Sequence, residues 1–197
     1  MASAAILAGG RATRYGGRDK GALIVGGRSI LERQMTELTQ LTDDVMLVTA
    51  EHRTVGVPGL RIVVDRMPHC GPLGGLDAAL DAAREDPLVL LACDMPFVTA
   101  ALVRHLVALA SDADAVVPRT ERGYHPLCAT YTRACRPAIE ARLRAKRLTM
   151  IDWLDDVALR VVTGVELGAF GDPHRLLANV NTPAEYDEIN ARFGHEL

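Results

Sequence analysis

The chain has 197 residues, of which 49% are hydrophobic and 24% are charged, a balance typical of a globular protein with a full core and not of a disordered chain. Its 22 basic and 25 acidic residues give a formal net charge of −3, which argues against a broad nucleic-acid-binding surface. No apolar run approaches the ~18 residues that span a bilayer, so we predict no membrane contact.

The cysteines and the first residues predict a cytoplasmic protein. Cys70, Cys93, Cys128 and Cys135 form no C-x-x-C pair and no zinc-binding spacing with histidine. Cys93 and Cys128 lie within apolar runs, where a reduced cysteine is a small buried hydrophobe. The opening segment, MASAAILAGG, lacks the basic region of a signal peptide and reaches glycine too early for one.

Short apolar runs alternate along the chain with segments of helical pattern. We predict the runs to be strands, and they cover residues 4–7, 45–49, 61–64, 88–92, 115–117, 127–131 and 159–162. The first and fourth runs are almost continuously apolar, which is expected of strands that are covered on both faces.

Helices are predicted between these strands, two of them from clear start signals. Ser29 and Glu32 form a capping box that begins a helix reaching about residue 41. Thr182 and Glu185 form a second one, with Pro183 at the first helical position. Two more helical patterns cover residues 72–84 and 99–110. The alternation predicts an α/β fold, a single Rossmann-like domain over residues 1–197, with a mostly parallel sheet and helices on both faces.

A glycine-rich loop follows the first predicted strand. It has four glycines between residues 9 and 17, and Arg11, Arg14, Arg18 and Lys20 lie among or just after them. Ligands of such sheets bind beyond the carboxyl ends of strands, and glycines let successive N–H groups point at one anion. The P-loop spacing and the G-x-G-x-x-G fingerprint are both absent. We expect the loop to bind a triphosphate with the N–H groups of residues 8–10; the alternative is a solvated surface loop.

Two aspartates end predicted strands. Asp94 follows the run 88–92, and a carboxylate at the mouth of a buried strand is well placed to hold a hard cation. We therefore predict that Asp94 binds Mg²⁺ against the triphosphate, with a turn or N-cap role as the alternative. Asp65 follows the run 61–64, and for this residue a turn-forming role and a nucleoside-binding role both stay open.

Four segments together resemble a nucleotidyltransferase family. Residues 7–10 (LAGG), Arg14 and residues 17–20 (GRDK) are similar to the signature L-A-G-G-x(n)-R-M-G-x-D-K, which several nucleotidyltransferases share. Three further segments resemble its G-P-L-x-G, C-D-x-P and N-x-N-T-P motifs, and these are residues 71–75 (GPLGG), 92–96 (ACDMP) and 179–183 (NVNTP). The combination resembles the molybdenum cofactor guanylyltransferases over nearly the whole chain.

The resemblance implies that GMP is transferred from GTP to molybdopterin carrying molybdenum, with Mg²⁺ as cofactor, to give the guanine dinucleotide and pyrophosphate. Asp94 is then the metal ligand, and Lys20 and Arg14 are catalytic cations that neutralise the phosphates. The implied nucleotide-binding residues are Leu7, Ala8, Gly9, Gly10, Lys20, Thr49, Asp65, Gly71, Gly75 and Asp94. Implied partners are GTP and molybdopterin, with transient contacts to other molybdenum cofactor biosynthesis enzymes or to target molybdoenzymes.

The resemblance implies an acceptor side made of Asn179, Asn181, His125 and Arg147. Asn179 and Asn181 precede a capped helix, so turn and cap chemistry is their alternative role. His125 begins an H-P-L segment similar to one in the family, and a structural role is its alternative. Arg147 lies where relatives carry a G-E-R-R-like stretch that this sequence lacks, and its alternative is a solvated helix end.

One departure concerns the base. Relatives have an Asn after the second strand that helps to hold guanine, whereas this chain has Thr49, whose hydroxyl cannot reproduce the two-sided pattern of an amide. Two alternatives therefore stay open: a cytidylyltransferase acting on molybdopterin or on a sugar or polyol phosphate, and a non-catalytic nucleotide-binding module. The presence of Lys20 and Asp94 counts against the module.

Overall fold

The fold is given by a computed structural model that describes residues 1–8, 20–51, 57–67 and 69–193. Five residues of the predicted phosphate-binding loop, Gly9, Gly10, Arg11, Arg14 and Arg18, lie outside the described residues. Within the described part of the chain, no helix is both long enough and apolar enough to cross a bilayer.

Ten strands lie within the described residues, and eight of them form one sheet. They are β1 (Ser3–Leu7), β2 (Ile24–Val25), β3 (Arg28–Ser29), β4 (Val45–Thr49), β5 (Leu60–Val64), β6 (Leu88–Ala92), β7 (Ala115–Thr120), β8 (Gly123–Tyr124), β9 (Cys128–Tyr131) and β10 (Leu159–Thr163). The order across the sheet is β10-β7-β9-β6-β1-β4-β5, with β8 on the end of β7 and β2 paired with β3 in a separate hairpin. Every predicted strand is present.

Most of the sheet is parallel, as predicted. Strand β1 pairs in parallel with β4 and β6, β4 pairs in parallel with β5, and β7 does so with β10. The exceptions are β9, which runs antiparallel between β6 and β7, and the two-residue β8, which runs antiparallel to β7. All residues of β1, β4 and β6 are buried, which explains their nearly continuous apolar sequences.

Helices cover both faces of the sheet, which confirms the predicted fold class. They are α1 (Ile30–Leu38), α2 (Gly71–Ala82), α3 (Ala100–Leu109), α4 (Arg136–Arg144), α5 (Gly164–Leu167), α6 (Pro173–Leu176) and α7 (Pro183–Phe193). Leu38 of α1 and Leu106 of α3 pack in the core on one face, and Leu76 of α2 and Ile139 of α4 pack in the core on the other.

Both predicted capping boxes are formed. The Glu32 N–H donates to Ser29 Oγ over 3.2 Å while the Ser29 N–H donates to Glu32 Oε2 over 2.8 Å. The Glu185 N–H donates to Thr182 Oγ1 over 3.2 Å, and the Thr182 N–H returns to Glu185 Oε2 over 3.0 Å. Helix α1 ends at Leu38 and not near residue 41. The Thr39 hydroxyl donates to the Met35 carbonyl over 2.8 Å, and the Leu41 N–H donates to the Leu38 carbonyl, three residues back, over 2.9 Å, so the α-helical pattern is lost there.

Helix α4 was not predicted from the sequence. Only Ile139 and Leu143 of its nine residues are buried, so its apolar stripe is too narrow to give a clear helical period. The signal that was present is Pro137 in the first turn, where proline suits a helix start.

None of the four cysteines forms a disulfide, as expected for a reduced protein. Cys93 and Cys128 are buried, which confirms the prediction that both act as small hydrophobic residues. Burial raises the pKa of Cys128 to about 12, so this thiol stays protonated near neutral pH.

A buried carboxylate links several elements at the amino ends of the strands. Asp44 is 6% exposed and precedes β4. It accepts hydrogen bonds from the Ser3 hydroxyl at 2.5 Å, from the Arg84 N–H at 3.0 Å and from Arg61 Nη2 at 2.7 Å. Burial by itself raises the pKa of Asp44, but these hydrogen bonds outweigh it, and the net pKa lies below the ordinary value.

We expect Asp44 to make stability dependent on pH. Because its pKa is lower in the folded protein, it stabilises the fold above its unfolded pKa of about 4, and this contribution is lost as pH falls through the folded pKa. At pH 7, Asp44→Asn should lower the free energy of unfolding by about 2–3 kcal/mol, because Ser3 and Arg61 lose a charged acceptor. Urea unfolding of both proteins should show this difference shrinking toward pH 3. A difference that stays constant with pH would contradict the assignment.

Candidate active site

The carboxyl ends of the four parallel strands β6, β1, β4 and β5 meet at one edge of the sheet. Backbone hydrogen bonds extend the pairing past these ends: the Cys93 N–H donates to the Leu7 carbonyl over 3.1 Å and the Asp65 N–H donates to the Thr49 carbonyl over 2.8 Å. Predicted site residues from four different strands therefore lie along one edge, where ligands of such sheets bind.

Four polar side chains converge at this edge, and we call them the Asp94 cluster: Lys20, Asp94, Asn179 and Asn181. Lys20 Nζ lies 2.9 Å from Asp94 Oδ2 and donates to Asn181 Oδ1 over 3.0 Å. Asn179 Nδ2 donates to Asp94 Oδ1 over 3.4 Å. The side chain of Lys20 is 24% exposed and that of Asp94 is 11% exposed, so the cluster is open to a ligand. Two predicted catalytic residues and two predicted acceptor residues thus form one network.

The backbone around Val180 fixes two members of the cluster. Val180 is fully buried, and its N–H donates to the carbonyl of Asp94 over 2.9 Å. The N–H of Asn181 donates to Glu185 Oε2 over 2.7 Å at the start of α7. The cap role and the site role that the sequence left open both apply to Asn181, because its backbone serves the helix cap while its side chain reaches Lys20.

Gln34 is a supporting residue that the sequence analysis missed. It is 1% exposed, and its Nε2 donates to the carbonyls of Ala92 over 2.7 Å and Met95 over 3.1 Å. These two carbonyls flank Asp94, so Gln34 fixes the turn that presents the carboxylate. The sequence did contain a signal, because Gln34 is a polar residue on the buried face of α1.

Asp65 forms a turn and lines a cleft. Its Oδ1 accepts from the Met67 N–H over 2.7 Å, and its side chain is largely buried beside Gly74. Burial raises the pKa of this carboxyl, and the hydrogen bond from Met67 opposes the shift. The adjoining cleft has a volume of about 430 Å³ and extends between β5 and α2. The turn-forming role is present, and the nucleoside-binding role stays a prediction.

The other predicted nucleotide-binding residues differ in what they offer a ligand. The Ala8 N–H donates to the Val48 carbonyl over 2.9 Å, so it is already engaged within the sheet. The other two predicted phosphate-binding N–H groups, of residues 9 and 10, lie outside the described residues. Thr49 is 3% exposed, and its hydroxyl donates to the Glu51 carbonyl over 2.8 Å. A Cβ on Gly75 would lie 3.0 Å from Leu7 Cδ2, so this glycine allows α2 to pack on β1. Gly71 is exposed and has a φ of +60°, which favours glycine.

His125 and Arg147 form no hydrogen bond or ion pair with the Asp94 cluster among the described residues. His125 follows β8, and its Nε2 lies 2.9 Å from Oγ1 of Thr120, the last residue of β7. Burial, with the nearby Arg122 charge, lowers the pKa of His125, so its ring is neutral near pH 7. Arg147 is exposed, and its N–H donates to the Arg142 carbonyl over 3.0 Å at the end of α4. The acceptor role of each stays a prediction.

The donor set of the Asp94 cluster fits Mg²⁺. Asp94 supplies carboxylate oxygens and Asn179 an amide oxygen, which are hard ligands. Within the part of the chain that the structure describes, no group of three His, Cys, Asp or Glu side chains is arranged to hold a metal ion. Magnesium is commonly held by one or two carboxylates together with substrate phosphates, so Asp94 alone is a sufficient protein carboxylate.

Comparison with known families gives a match to the model of the MobA-like NTP transferase domain over residues 4–157. A relative from Pelotomaculum thermopropionicum, named a probable molybdenum cofactor guanylyltransferase, is 35% identical over 98% of this chain and 92% of its own. One from Carboxydothermus hydrogenoformans with the same name is 32% identical over 94% and 93%. The molybdenum cofactor guanylyltransferase of Desulfosudis oleivorans is 28% identical over 94% and 93%.

Solved structures share the fold. The molybdopterin-guanine dinucleotide biosynthesis protein A of Archaeoglobus fulgidus superposes with a TM-score of 0.79 at 20% identity, over 97% of each chain. The 2-C-methyl-D-erythritol 4-phosphate cytidylyltransferase of Thermus thermophilus gives a TM-score of 0.69 at 18% identity, over 97% of this chain and 98% of its own. Because both superpose well, the fold by itself does not select the base.

Proposed function

The chain belongs to the MobA-like NTP transferase family, and from that premise we propose that it transfers GMP from GTP to molybdopterin carrying molybdenum, which forms the guanine dinucleotide cofactor and pyrophosphate. It is an enzyme, a nucleotidyltransferase. The observation that carries the proposal is the Asp94 cluster, which joins a cation, a carboxylate and two amides beyond the ends of β1 and β6.

The chemistry needs positioning and charge neutralisation more than a general base. The phosphate of the acceptor is already ionised near neutral pH, so its oxygen can attack the α-phosphorus of GTP directly, and the bond to the β-phosphate breaks as pyrophosphate leaves. Lys20 would turn from Asp94 toward the triphosphate and stabilise the charge on the oxygens around the reacting phosphorus. Asp94 would hold Mg²⁺, which supplies further neutralisation of the triphosphate when bound.

The two asparagines support this proposal as positioning residues. Asn181 Oδ1 accepts from Lys20 Nζ and orients the ammonium, and Asn179 Nδ2 donates to Asp94 and orients the carboxylate. An asparagine NH₂ group carries two donor hydrogens, so each side chain could also donate to the phosphate of an incoming acceptor. A role on the acceptor side and a role in positioning are therefore compatible.

Other parts of the proposal rest on the sequence. Arg14, Gly9 and Gly10 complete the phosphate site, and Leu7, Ala8 and Gly71 border the nucleotide. One domain over residues 1–197, a cytoplasmic location, and transient contacts with other molybdenum cofactor biosynthesis enzymes or target molybdoenzymes remain predictions.

Thermal protection by nucleotides tests the choice of base. We expect GTP with Mg²⁺ to raise the melting temperature more than ATP, CTP or UTP, because a ligand that binds only the native state stabilises it. At about a hundred times Kd the gain is about 2.7 kcal/mol, which corresponds to roughly 5–10 °C for a chain of this size. Differential scanning fluorimetry over a concentration series of each nucleotide gives the ranking.

Substitution of Thr49 gives a second test of whether the protein prefers guanine or cytosine. If Thr49 borders the base, Thr49→Asn should sharpen the preference for GTP, because an amide offers guanine both a donor and an acceptor. Thr49→Val, which removes the hydroxyl at similar size, is the matched control. A larger protection by CTP than by GTP in the natural protein would instead favour the cytidylyltransferase alternative.

A further inference from the structure

A third hydrophobic cluster lies apart from the two cores on the faces of the sheet, and we call it the satellite core. Its buried members, with three half-buried residues packed against them, are Val25, Ile30, Phe97, Val180 and Ile189, and Leu23, Ala178 and Tyr186. They come from the three segments that carry the Asp94 cluster, residues 20–30, 94–97 and 178–181, and from helix α7. The segments that present the four polar side chains are therefore packed together in a small core of their own.

Lys20 is tied to the β2–β3 hairpin by backbone hydrogen bonds. The Leu23 N–H donates to the Lys20 carbonyl over 3.1 Å, and the Ile30 N–H, just after the hairpin, donates to the Leu23 carbonyl over 3.0 Å. The two strands of this hairpin are only Ile24–Val25 and Arg28–Ser29, and they form a sheet separate from the main one. Because a two-stranded hairpin is at best marginally stable by itself, other elements must hold it in place. Whatever holds the hairpin also fixes the backbone of Lys20.

Helix α1 holds the turn of the hairpin. Arg33 of this helix donates from Nε to the Val25 carbonyl over 2.6 Å and from Nη2 to the Gly26 carbonyl over 3.1 Å. These two bonds fix the turn but leave the start of the first strand to be held by another element.

Helix α7 holds the start of that strand. The Tyr186 hydroxyl donates to the Ile24 carbonyl over 2.7 Å, and Asn190 Nδ2 lies 3.4 Å from the same oxygen, a longer and weaker bond. Because Ile24 is 48% exposed, its own side chain contributes little packing. The strand is therefore held at this residue through its carbonyl, mainly by Tyr186.

The same end of α7 also fixes Asn181. The Asn181 N–H donates to Glu185 Oε2 over 2.7 Å, and the Tyr186 N–H donates to the Thr182 carbonyl over 3.0 Å. The contacts form a closed ring, because Asn181 Oδ1 accepts from Lys20 Nζ, Lys20 is tied to the hairpin, and Tyr186 joins the hairpin to the helix that begins beside Asn181. Such a ring fixes the position of Lys20 relative to the Asp94 cluster through both its side chain and its backbone.

We propose that Tyr186 is a positioning residue for the reaction and that it acts through Lys20. By holding the Ile24 carbonyl, its hydroxyl keeps the backbone of Lys20 in place while the side chain turns from Asp94 toward the triphosphate. A fixed backbone lets the ammonium reach the developing phosphate charge in a defined geometry. The inference rests on the proposed function, and it adds a residue of α7, a helix that lies beyond the residues 4–157 that match the family model.

Tyr186→Phe is the direct test, because it keeps the ring in the satellite core and removes only the hydroxyl. We expect kcat for GMP transfer to fall by about threefold to tenfold, the size of one neutral hydrogen bond. The affinity for GTP, measured by calorimetry with Mg²⁺ and without an acceptor, should fall by about threefold. In the Lys20→Ala background the same change should alter each quantity by less than about 1.5-fold, because the group through which Tyr186 acts is gone.

Thr39→Val is the matched control. The Thr39 hydroxyl donates to the Met35 carbonyl over 2.8 Å, a bond of the same kind at the other end of α1 from the hairpin. We expect Thr39→Val to lower the melting temperature by a similar amount to Tyr186→Phe, and to leave kcat and GTP affinity within about 1.5-fold of the natural protein.

The outcomes separate this proposal from the proposed function. Losses of equal size in the natural and Lys20→Ala backgrounds would show that Tyr186 serves the fold alone, and unchanged kcat and affinity in Tyr186→Phe would also overturn the positioning role; either result leaves the reaction intact if the natural protein forms the dinucleotide. A Lys20-dependent loss of GTP affinity in a protein that forms no dinucleotide would support the positioning role and contradict the proposed reaction. Failure of the natural protein to bind GTP would overturn both.

Discussion

Replacement of Asp94 by alanine is expected to lower GMP transfer by about a thousandfold or more while the protein stays folded. Asp94 is the carboxylate at the centre of the cluster, 2.9 Å from Lys20 and 3.4 Å from Asn179. Without it Mg²⁺ loses its protein carboxylate, and several kcal/mol of transition-state stabilisation are lost. At about 1.4 kcal/mol per tenfold change in rate, this corresponds to a factor on the order of a thousand.

The fold should tolerate this change because Asp94 lies at the ligand edge, and Lys20, whose side chain is 24% exposed, keeps its hydrogen bond to Asn181. The lost pair with Lys20 contributes about 1.5–3 kcal/mol, which corresponds to roughly 3–12 °C in melting temperature. Asp94→Asn is the matched variant, because it keeps the shape but replaces the carboxylate with a weaker, uncharged ligand. Its rate should fall between those of the natural protein and Asp94→Ala. Mg²⁺-dependent release of pyrophosphate measures the rates, and near-normal turnover of Asp94→Ala would exclude the metal assignment.

Replacement of Lys20 by alanine is expected to lower transfer by about a hundredfold or more. Its ammonium is the described cation nearest to Asp94. Without it, the negative charge that develops on the phosphate oxygens in the transition state loses a stabilising positive charge. Lys20→Arg should restore little of the rate, because a planar guanidinium cannot occupy the space that a compact ammonium shares with Asp94 and Asn181.

A companion variant tests whether Asn181 acts through Lys20. Asn181→Ala keeps the charge and removes one of the two acceptors of Lys20 among the described residues, so we expect a loss of about tenfold, the size of one charged hydrogen bond. The double variant should be little worse than Lys20→Ala, because both changes disrupt the same interaction. Fully additive losses, measured as kcat and as GTP affinity, would show that Asn181 acts independently of Lys20.

The sequence predicted the fold well where local signals were strong. The continuous apolar runs of β1 and β6 and the capping boxes at Ser29 and Thr182 are each determined by a few neighbouring residues. The antiparallel direction of β9 was not predicted, because direction depends on which strands pair across the sheet. Helix α4 was missed because two buried residues, Ile139 and Leu143, give too weak a period.

The candidate site was predicted in its components but not in its contacts. Lys20 and Asp94 were identified because each lies in a short motif of neighbouring residues that can be recognised in the sequence. The pairing of Lys20 with Asn181 joins residues 161 positions apart, which no spacing rule detects. Gln34 belongs to no motif, and its role becomes visible only when α1 packs beneath the turn that holds Asp94.

The central claim is tested most directly by identifying the product. The protein would be incubated with Mg²⁺, molybdopterin carrying molybdenum, and an equal mixture of GTP and CTP. The pterin products would then be separated and identified by mass spectrometry. We expect the guanine dinucleotide as the main product, with pyrophosphate released in equal amount and both lost in Asp94→Ala. A cytosine dinucleotide as the main product, or no dinucleotide from protein that binds both substrates, would contradict it.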